Sequence, residues 1–125
     1  MAGAYDIDDR LIAFAADVCT ACSRISRTPA GKHAASQLTR SATSPFANYG
    51  EARGAESRRD FIHKMRLVLK ELRESKAWLR FVSRSGLAAA GAMDSLLREC
   101  DQLIAIFVAS IRTAERNDPS ARPRS

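Results

Sequence analysis

Apolar residues recur at steps of three and four along almost the whole chain, which is the periodicity of amphipathic helices. The first series predicts an N-terminal helix and comprises Ile7, Leu11, Phe14, Val18, Cys22 and Ile25. Asp6 is placed to cap this helix, and Arg24 and Arg27 fall in its predicted last turn, where basic groups complement the helix dipole. Thr28-Pro29 predicts that a second helix starts almost at once, so the two helices should form an antiparallel hairpin.

The second predicted helix runs from Pro29 to about Arg53 and turns mostly small residues inward. Its apolar face comprises Ala34, Leu38, Ala42, Pro45 and Tyr49. Pro45 has no backbone N–H, so we expect a kink there, with a full break of the helix as the alternative. The hydroxyls of Ser41, Thr43 and Ser44 are placed to satisfy the freed carbonyls. Gly54 is the predicted stop.

Two further helices complete the pattern. Residues 57–60 match a capping box, and the third helix extends from there to about Arg84, with Gly86 as its stop. Its inward residues are Phe61, Met65, Val68, Leu72 and Leu79. The fourth helix is predicted from about Ala88 to Arg116, with an apolar stripe of Met93, Leu96, Leu97, Cys100, Leu103, Ile104, Phe107 and Ile111. These patterns predict an all-α, antiparallel up-down-up-down four-helix bundle over residues 1–116. The polar, proline-containing segment 117–125 is expected to be a disordered tail.

Composition agrees with one small domain. The chain has 125 residues, of which 46% are hydrophobic, enough for a compact core, and only 6% are aromatic. No apolar run is long enough to span a membrane, and the N-terminal residues lack the basic and apolar regions of a signal peptide. An odd number of cysteines, three, without such a signal favours a reducing compartment, so we expect a cytoplasmic protein.

The net charge of +6 is concentrated in one segment. Residues 58–86 carry nine basic and three acidic groups, whereas the other three quarters of the chain nearly balance. At about 100° per residue, steps of three and four place most of these bases in one row on the third helix. We call this row the basic stripe, with Ala77 filling its one gap; it comprises Arg59, His63, Arg66, Lys70, Arg73, Arg80 and Arg84.

Two interpretations of the basic stripe are open. It is either an ordinary solvated face of a bundle helix or a surface that binds phosphates. Arginine outnumbers lysine five to one in it, which favours phosphate because the guanidinium group is a planar fork. The stripe contains no aromatic residue, so the sequence indicates contact with the nucleic-acid backbone rather than base stacking.

Several large apolar residues lie off the predicted core stripes. They are Leu67, Trp78 and Phe81 on the third helix, Ile12 on the first and Ile106 on the fourth. Either wide stripes in a small bundle cover these residues, or they form an interface between subunits. We expect the second, because a monomer would otherwise expose an unusual amount of apolar surface.

The residues that suggest enzyme or metal chemistry do not form a convincing site. Cys19 and Cys22 have the spacing of a redox pair, but they lie within a helix rather than at its N-terminus. His33 and His63 are single histidines, and no glutamate has a histidine three residues later, as a carboxylate metal site of the bundle type requires. We therefore expect no catalytic residue, no cofactor and no metal.

The second and third helices carry a recognisable set of short motifs. They are Ala30-Gly31-Lys32-His33, Gln37-Leu38, Arg40-Ser41, Thr43-Ser44-Pro45, Ala47-Asn48-Tyr49-Gly50-Glu51-Ala52, Ala55-Glu56-Ser57, Asp60-Phe61-Ile62-His63-Lys64 and Leu69-Lys70-Glu71-Leu72-Arg73-Glu74. In these motifs the chain closely resembles the bacterial four-helix-bundle family, also called the 23S ribosomal RNA intervening-sequence protein family. The resemblance implies a bundle that assembles as a ring-shaped homopentamer. In a related branch, the accessory proteins of diversity-generating retroelements, it implies a basic ring that engages a reverse transcriptase and its template RNA.

Two functions follow from the stripe and the resemblance. The first is a non-catalytic oligomer that binds RNA or DNA through the third helix. The second is a protein-interaction scaffold without a nucleic-acid ligand, in which the basic stripe lines the ring or meets acidic partner surfaces. The resemblance supplies no catalytic residue to transfer. For Asn48 and Glu51 it suggests only structural roles, as hydrogen-bonding groups across the kink or to Ser57 and Arg58.

Overall fold

The computed structural model describes residues 4–117, which form four α-helices and no strand. The helices are α1 (Ala4–Ala21), α2 (Pro29–Arg53), α3 (Arg58–Ser85) and α4 (Asp94–Asn117), and a 3-10 turn, Cys22–Arg24, follows α1. Each helix packs against the next, and α4 also contacts α1, so α1 and α3 occupy opposite corners of the bundle. The predicted all-α four-helix bundle is confirmed.

Successive helices run antiparallel. On the α2–α3 side, Glu51 contacts Lys64 and Arg40 contacts Glu71, so residue numbers fall along one helix as they rise along the other. The same reversal joins α1 to α2 and α3 to α4. These pairings are compatible with the predicted up-down-up-down topology.

The core consists largely of the predicted apolar stripes. The buried side chains that were predicted include Leu11, Phe14, Val18, Ala34, Leu38, Ala42, Pro45, Tyr49, Met65, Val68, Leu72, Leu79, Met93, Leu96, Cys100, Leu103, Phe107 and Ile111. Phe61, Leu97 and Ile104 from the same stripes are only half-buried. The small residues of α2 allow α3 to approach closely, and α2 and α3 share the most extensive contact in the bundle.

Local capping signals set most of the helix ends. The Thr28 side chain accepts a hydrogen bond from the Gly31 amide, with Pro29 at the first position of α2, and the Ser57 side chain does the same for Asp60 in α3. Gly86 ends α3 in the left-handed region, with φ of 73°, where only glycine is unstrained. A side chain at position 31 would place its Cβ 1.8 Å from the carbonyl oxygen of Ser26, so the tight start of α2 requires glycine.

Helix α2 continues through Pro45, so the alternative of a full break is wrong. The Asn48 amide donates to the Ser44 hydroxyl at 2.9 Å and thereby spans the proline, as one of the two predicted arrangements required. Glu51 instead accepts from Lys64 of α3 at 3.2 Å and does not reach the start of α3. The hydroxyls of Ser41 and Thr43 donate to carbonyls of the preceding turn, residues 38 to 40.

Three predicted boundaries are wrong. Helix α1 begins before Asp6, which therefore lies in the first turn and is not the cap. Neither Arg24 nor Arg27 is in the last turn of α1, because the chain tightens into the 3-10 turn at Cys22. Helix α4 begins at Asp94 rather than near Ala88, since Gly91 takes a φ of 81° and keeps the preceding residues in turns. It ends at Asn117; the rest of the predicted tail, 118–125, lies outside the described residues.

Candidate nucleic-acid interface

All seven members of the basic stripe are exposed and project from one face of α3. The face is continuous because each member follows the last by one helical turn, except at Ala77, which is also exposed. Val68, Leu72, Leu79 and Val82 on the opposite face of the same helix are buried. The helix therefore holds the stripe in a fixed row along the outer surface of the bundle.

Most of the stripe has no counter-charge. Arg66 pairs with Glu115 of α4, and this is the stripe's single ion pair within residues 4–117. Five cations of the stripe have no hydrogen-bond or ion-pair partner in that range: Arg59, Lys70, Arg73, Arg80 and Arg84. Five positive charges in one row raise the local potential and favour an anionic ligand.

On the flank of α3 that faces α2, by contrast, the charged side chains are paired. There Arg40 of α2 pairs with both Glu71, at 3.1 Å, and Glu74. Lys64 pairs with Glu51 at 3.2 Å, and Ser75 donates to Ser41 at 2.9 Å inside the helix contact. We call this pairing of Arg40 with two glutamates the Arg40 clamp. The sequence analysis did not predict it. The signal that could have revealed it is the pair of glutamates one turn apart on α3, which can both reach one arginine on α2.

An aromatic group borders the basic stripe at the C-terminal half of α3. The Trp78 ring lies edge-to-face against Phe81, with centroids 5.9 Å apart, and against His33, at 5.6 Å. The Trp78 indole also donates to Glu74 at 3.1 Å, so its position is fixed from three sides. Trp78 is half-buried, whereas 44% of Phe81 is exposed. The contact with His33 could not be read from the sequence, because it depends on the register of α2 against α3.

The five candidate interface residues do not form one patch. Trp78 and Phe81 are in contact, and Leu67 lies half-buried on the same helix three turns before them. Ile12 is 46% exposed on α1, at the opposite corner of the bundle, and Ile106 is half-buried on α4. An assembly that covers all of them must therefore use at least two different surfaces of each subunit.

A shallow groove lies between the end of α3 and the start of α4. It has a volume of about 620 Å³ and is lined by Ala77, Arg80, Phe81, Ser83, Arg84 and Leu97. The groove combines two unpaired guanidinium groups with an exposed ring. It is the place where the aromatic group and the basic stripe meet.

The cysteines occupy three different environments. Cys19 is exposed, Cys22 is half-buried with its sulfur 3.4 Å from the Thr39 hydroxyl, and Cys100 is buried. Burial raises the pKa of the Cys100 thiol to about 12, and the thiol donates to the Leu72 carbonyl of α3 at 3.2 Å.

Within residues 4–117, no three His, Cys, Asp or Glu side chains cluster so as to hold a metal ion. None of the helices described is long and apolar enough to cross a membrane.

The fold and this surface define a class: small antiparallel four-helix bundles with a basic outer helix. A family model described as 23S rRNA-intervening sequence protein matches residues 6–109, and the chain belongs to this family. A solved structure from Bacteroides thetaiotaomicron VPI-5482, described as a protein with unknown function from the S23 ribosomal protein family, is also similar. It is 27% identical, has a TM-score of 0.77, and the alignment covers 84% of this chain and 97% of that one. Comparison with curated proteins gives no significant match.

Proposed function

We propose that this protein is a non-catalytic, ring-shaped homo-oligomer, a pentamer by family resemblance, whose basic stripe binds RNA or DNA. The observation that carries the proposal is the row of five exposed cations on α3 that have no partner within the described residues. A stripe that served only for solubility would be expected to contain interspersed acids. Here the facing acids of α3 are already paired with α2.

Phosphate is the ligand chemistry that fits this row. Arginine presents several donors in a plane and binds phosphate oxygens in pairs, and four of the five unpaired cations are arginines. The row extends from Arg59 to Arg84, which is roughly 37 Å at 1.5 Å per residue, so several successive phosphates could be contacted. Cyclic symmetry would repeat the stripe once in every subunit.

Assembly is supported by the apolar residues that remain partly exposed to solvent in the monomer. Ile12 is a large hydrophobic residue with 46% of its surface exposed, and Leu67, Trp78 and Ile106 are only half-buried. Light scattering of the purified protein tests this part of the proposal, with the pentameric mass as the expected result. A monomer at micromolar concentration would contradict it.

The nucleic-acid part is tested by reversing two unpaired charges. The double variant Lys70→Glu, Arg73→Glu is compared with Arg27→Glu, Arg98→Glu, whose residues are also exposed, lie outside α3 and have no partner in the part of the chain that the structure describes. Both variants change the net charge equally. Binding to labelled single-stranded RNA is measured over a range of salt concentrations.

We expect the stripe variant to bind more weakly and with a shallower salt dependence, by about 0.7 in the logarithmic slope for each lost phosphate contact. The control variant should lose much less affinity. Equal losses in the two variants would show that only net charge matters. Undiminished binding by the stripe variant would contradict the proposal and favour a scaffold whose stripe meets acidic protein surfaces.

A further inference from the structure

The groove at the end of α3 has the features of a site for an unpaired base. Residues 77, 80, 81 and 84 are spaced by three and four, so they surround one patch of helix surface. Ala77 has only a methyl group and leaves this patch open, while Arg80, Phe81 and Arg84 stand around it. Arg73 lies one turn before Ala77 on the same face. The exposed ring thus shares the groove with the guanidinium groups of Arg80 and Arg84, and that of Arg73 lies about two turns further along the helix; none of the three has a partner in the described residues.

The neighbouring contacts hold the Phe81 ring in place. Trp78 packs edge-to-face against it and is itself held by the edge of His33 and by the hydrogen bond to Glu74. Glu74 is also bound by Arg40, so its charge is already compensated and does not oppose an anion at the groove. The ring is therefore braced from one side and open on the other.

A second copy of this chain is a poorer occupant of the groove. Burying Arg80 and Arg84 against protein would require facing carboxylates, since an unpaired buried charge is costly. A nucleotide supplies both parts of the match, because its base has a flat apolar face and the phosphates on either side are anionic. Charge complementarity therefore favours nucleic acid as the occupant. The exposed ring favours an unpaired base, because a base stacked in a duplex has no free face to offer it.

We propose that this groove binds single-stranded nucleic acid, with one unpaired base stacked on Phe81 and the adjacent phosphates held by Arg73, Arg80 and Arg84. The inference rests on the proposed nucleic-acid function and assigns its ligand class. Phe81 is then a ligand-binding residue rather than part of a subunit interface, and Trp78 is the residue that positions it.

The test compares Phe81→Ala with Phe81→Trp and with Ile12→Ala, which truncates a similarly exposed apolar residue at the opposite corner. The probes are a short fluorescein-labelled oligouridylate and the duplex that it forms with oligoadenylate. Phe81→Ala should weaken binding of the single strand by about 5- to 150-fold, the usual range for loss of one stacked base. Binding of the duplex and the salt slope should not change, because no phosphate contact is lost.

Phe81→Trp should retain single-strand binding, and Ile12→Ala should bind like the wild type. Undiminished single-strand binding by Phe81→Ala, an equal loss for the duplex, or a change in subunit number by light scattering would overturn this inference alone. Wild-type protein that binds neither probe would overturn it together with the proposed function.

Discussion

The two flanks of α3 both carry charged side chains, but those on one flank are paired and most of those on the other are not. On the flank toward α2, Glu71 and Glu74 are bound by Arg40, and Lys64 is bound by Glu51. The outer flank is the one that carries the basic stripe. Four of its cations have no partner within residues 4–117: Lys70, Arg73, Arg80 and Arg84. The first flank is half-buried in a helix contact, and the second is exposed along its length.

The difference arises from where the acids stand. Asp60, Glu71 and Glu74 are the only acids of α3, and all three belong to the series of three- and four-residue steps that faces α2. There Glu71 and Glu74 join α3 to α2, so their charge contributes to the fold. The outer flank has no acid of its own and keeps its positive charge available for a ligand. Net charge alone would not distinguish the two flanks; the helical position of each acid does.

The largest effect on stability should come from enlarging the buried contact between α2 and α3. Ser75 and Ser41 are fully buried and their hydroxyls are 2.9 Å apart, so Ser75→Leu must push the helices apart and remove the hydrogen bond that joins them. We expect a loss of about 1–3 kcal/mol or more in the free energy of unfolding. Urea denaturation followed by circular dichroism measures it.

Ser83→Leu is the matched control for that variant, since Ser83 is exposed near the end of the same helix. It should change stability by less than about 0.5 kcal/mol. If Ser75→Leu were equally mild, the contact between α2 and α3 would be looser than the buried serine pair indicates.

A smaller effect is expected from removing the clamp across the paired flank. Arg40→Ala removes the ion-pair partner of Glu71, which is only 15% exposed, and of Glu74, which keeps only the hydrogen bond from Trp78. Because the pairs are partly exposed, we expect a loss of about 1 kcal/mol, the upper end for such pairs, and a smaller loss at high salt. A double-mutant cycle with Glu71→Gln measures the coupling.

Arg73→Ala on the outer flank is the comparison for the clamp, because it removes the same side chain where no partner is described. Its stability should stay within about 0.5 kcal/mol of the wild type, while RNA binding falls. Equal losses of stability for the two variants would show that pairing does not distinguish the flanks.

The sequence predicted the bundle well because helix faces follow directly from spacing. The apolar stripes, Thr28 as a cap, Ser57 as a cap and Gly86 as a stop are all local signals, and the structure confirms each of them. The start of α4 was missed because it depends on Gly91 adopting a positive φ, which the sequence permits but does not require. The start of α1 was missed because Asp6 suits the first turn of a helix as well as its cap.

The candidate site was predictable only in part. The exposure of the basic stripe follows from helical geometry, since the stripe lies opposite the core residues of the same helix. Which of its charges are paired depends on the register between helices, as with Arg66 and Glu115, and spacing within one helix carries no such information. The sequence also gave no reason to join Phe81 to the stripe; the open position at Ala77 and the approach of Leu97 from α4 place them around one groove.

The smallest effect on stability, and the one that best separates the two flanks, should come from adding an acid to the outer one. Ala77→Glu places a carboxylate one turn from both Arg73 and Arg80, which should stabilise the helix by about 0.2–0.5 kcal/mol per pair at low salt. The same change puts a negative charge in the middle of the stripe, so RNA binding should fall while stability rises. Thermal unfolding and RNA binding, measured side by side on this variant and on the uncharged Ala77→Gln, check the prediction. Ala77→Gln should leave stability nearly unchanged and weaken binding less. A parallel loss of stability and binding in Ala77→Glu would contradict the prediction, because a carboxylate one turn from two unpaired arginines should attract both of them.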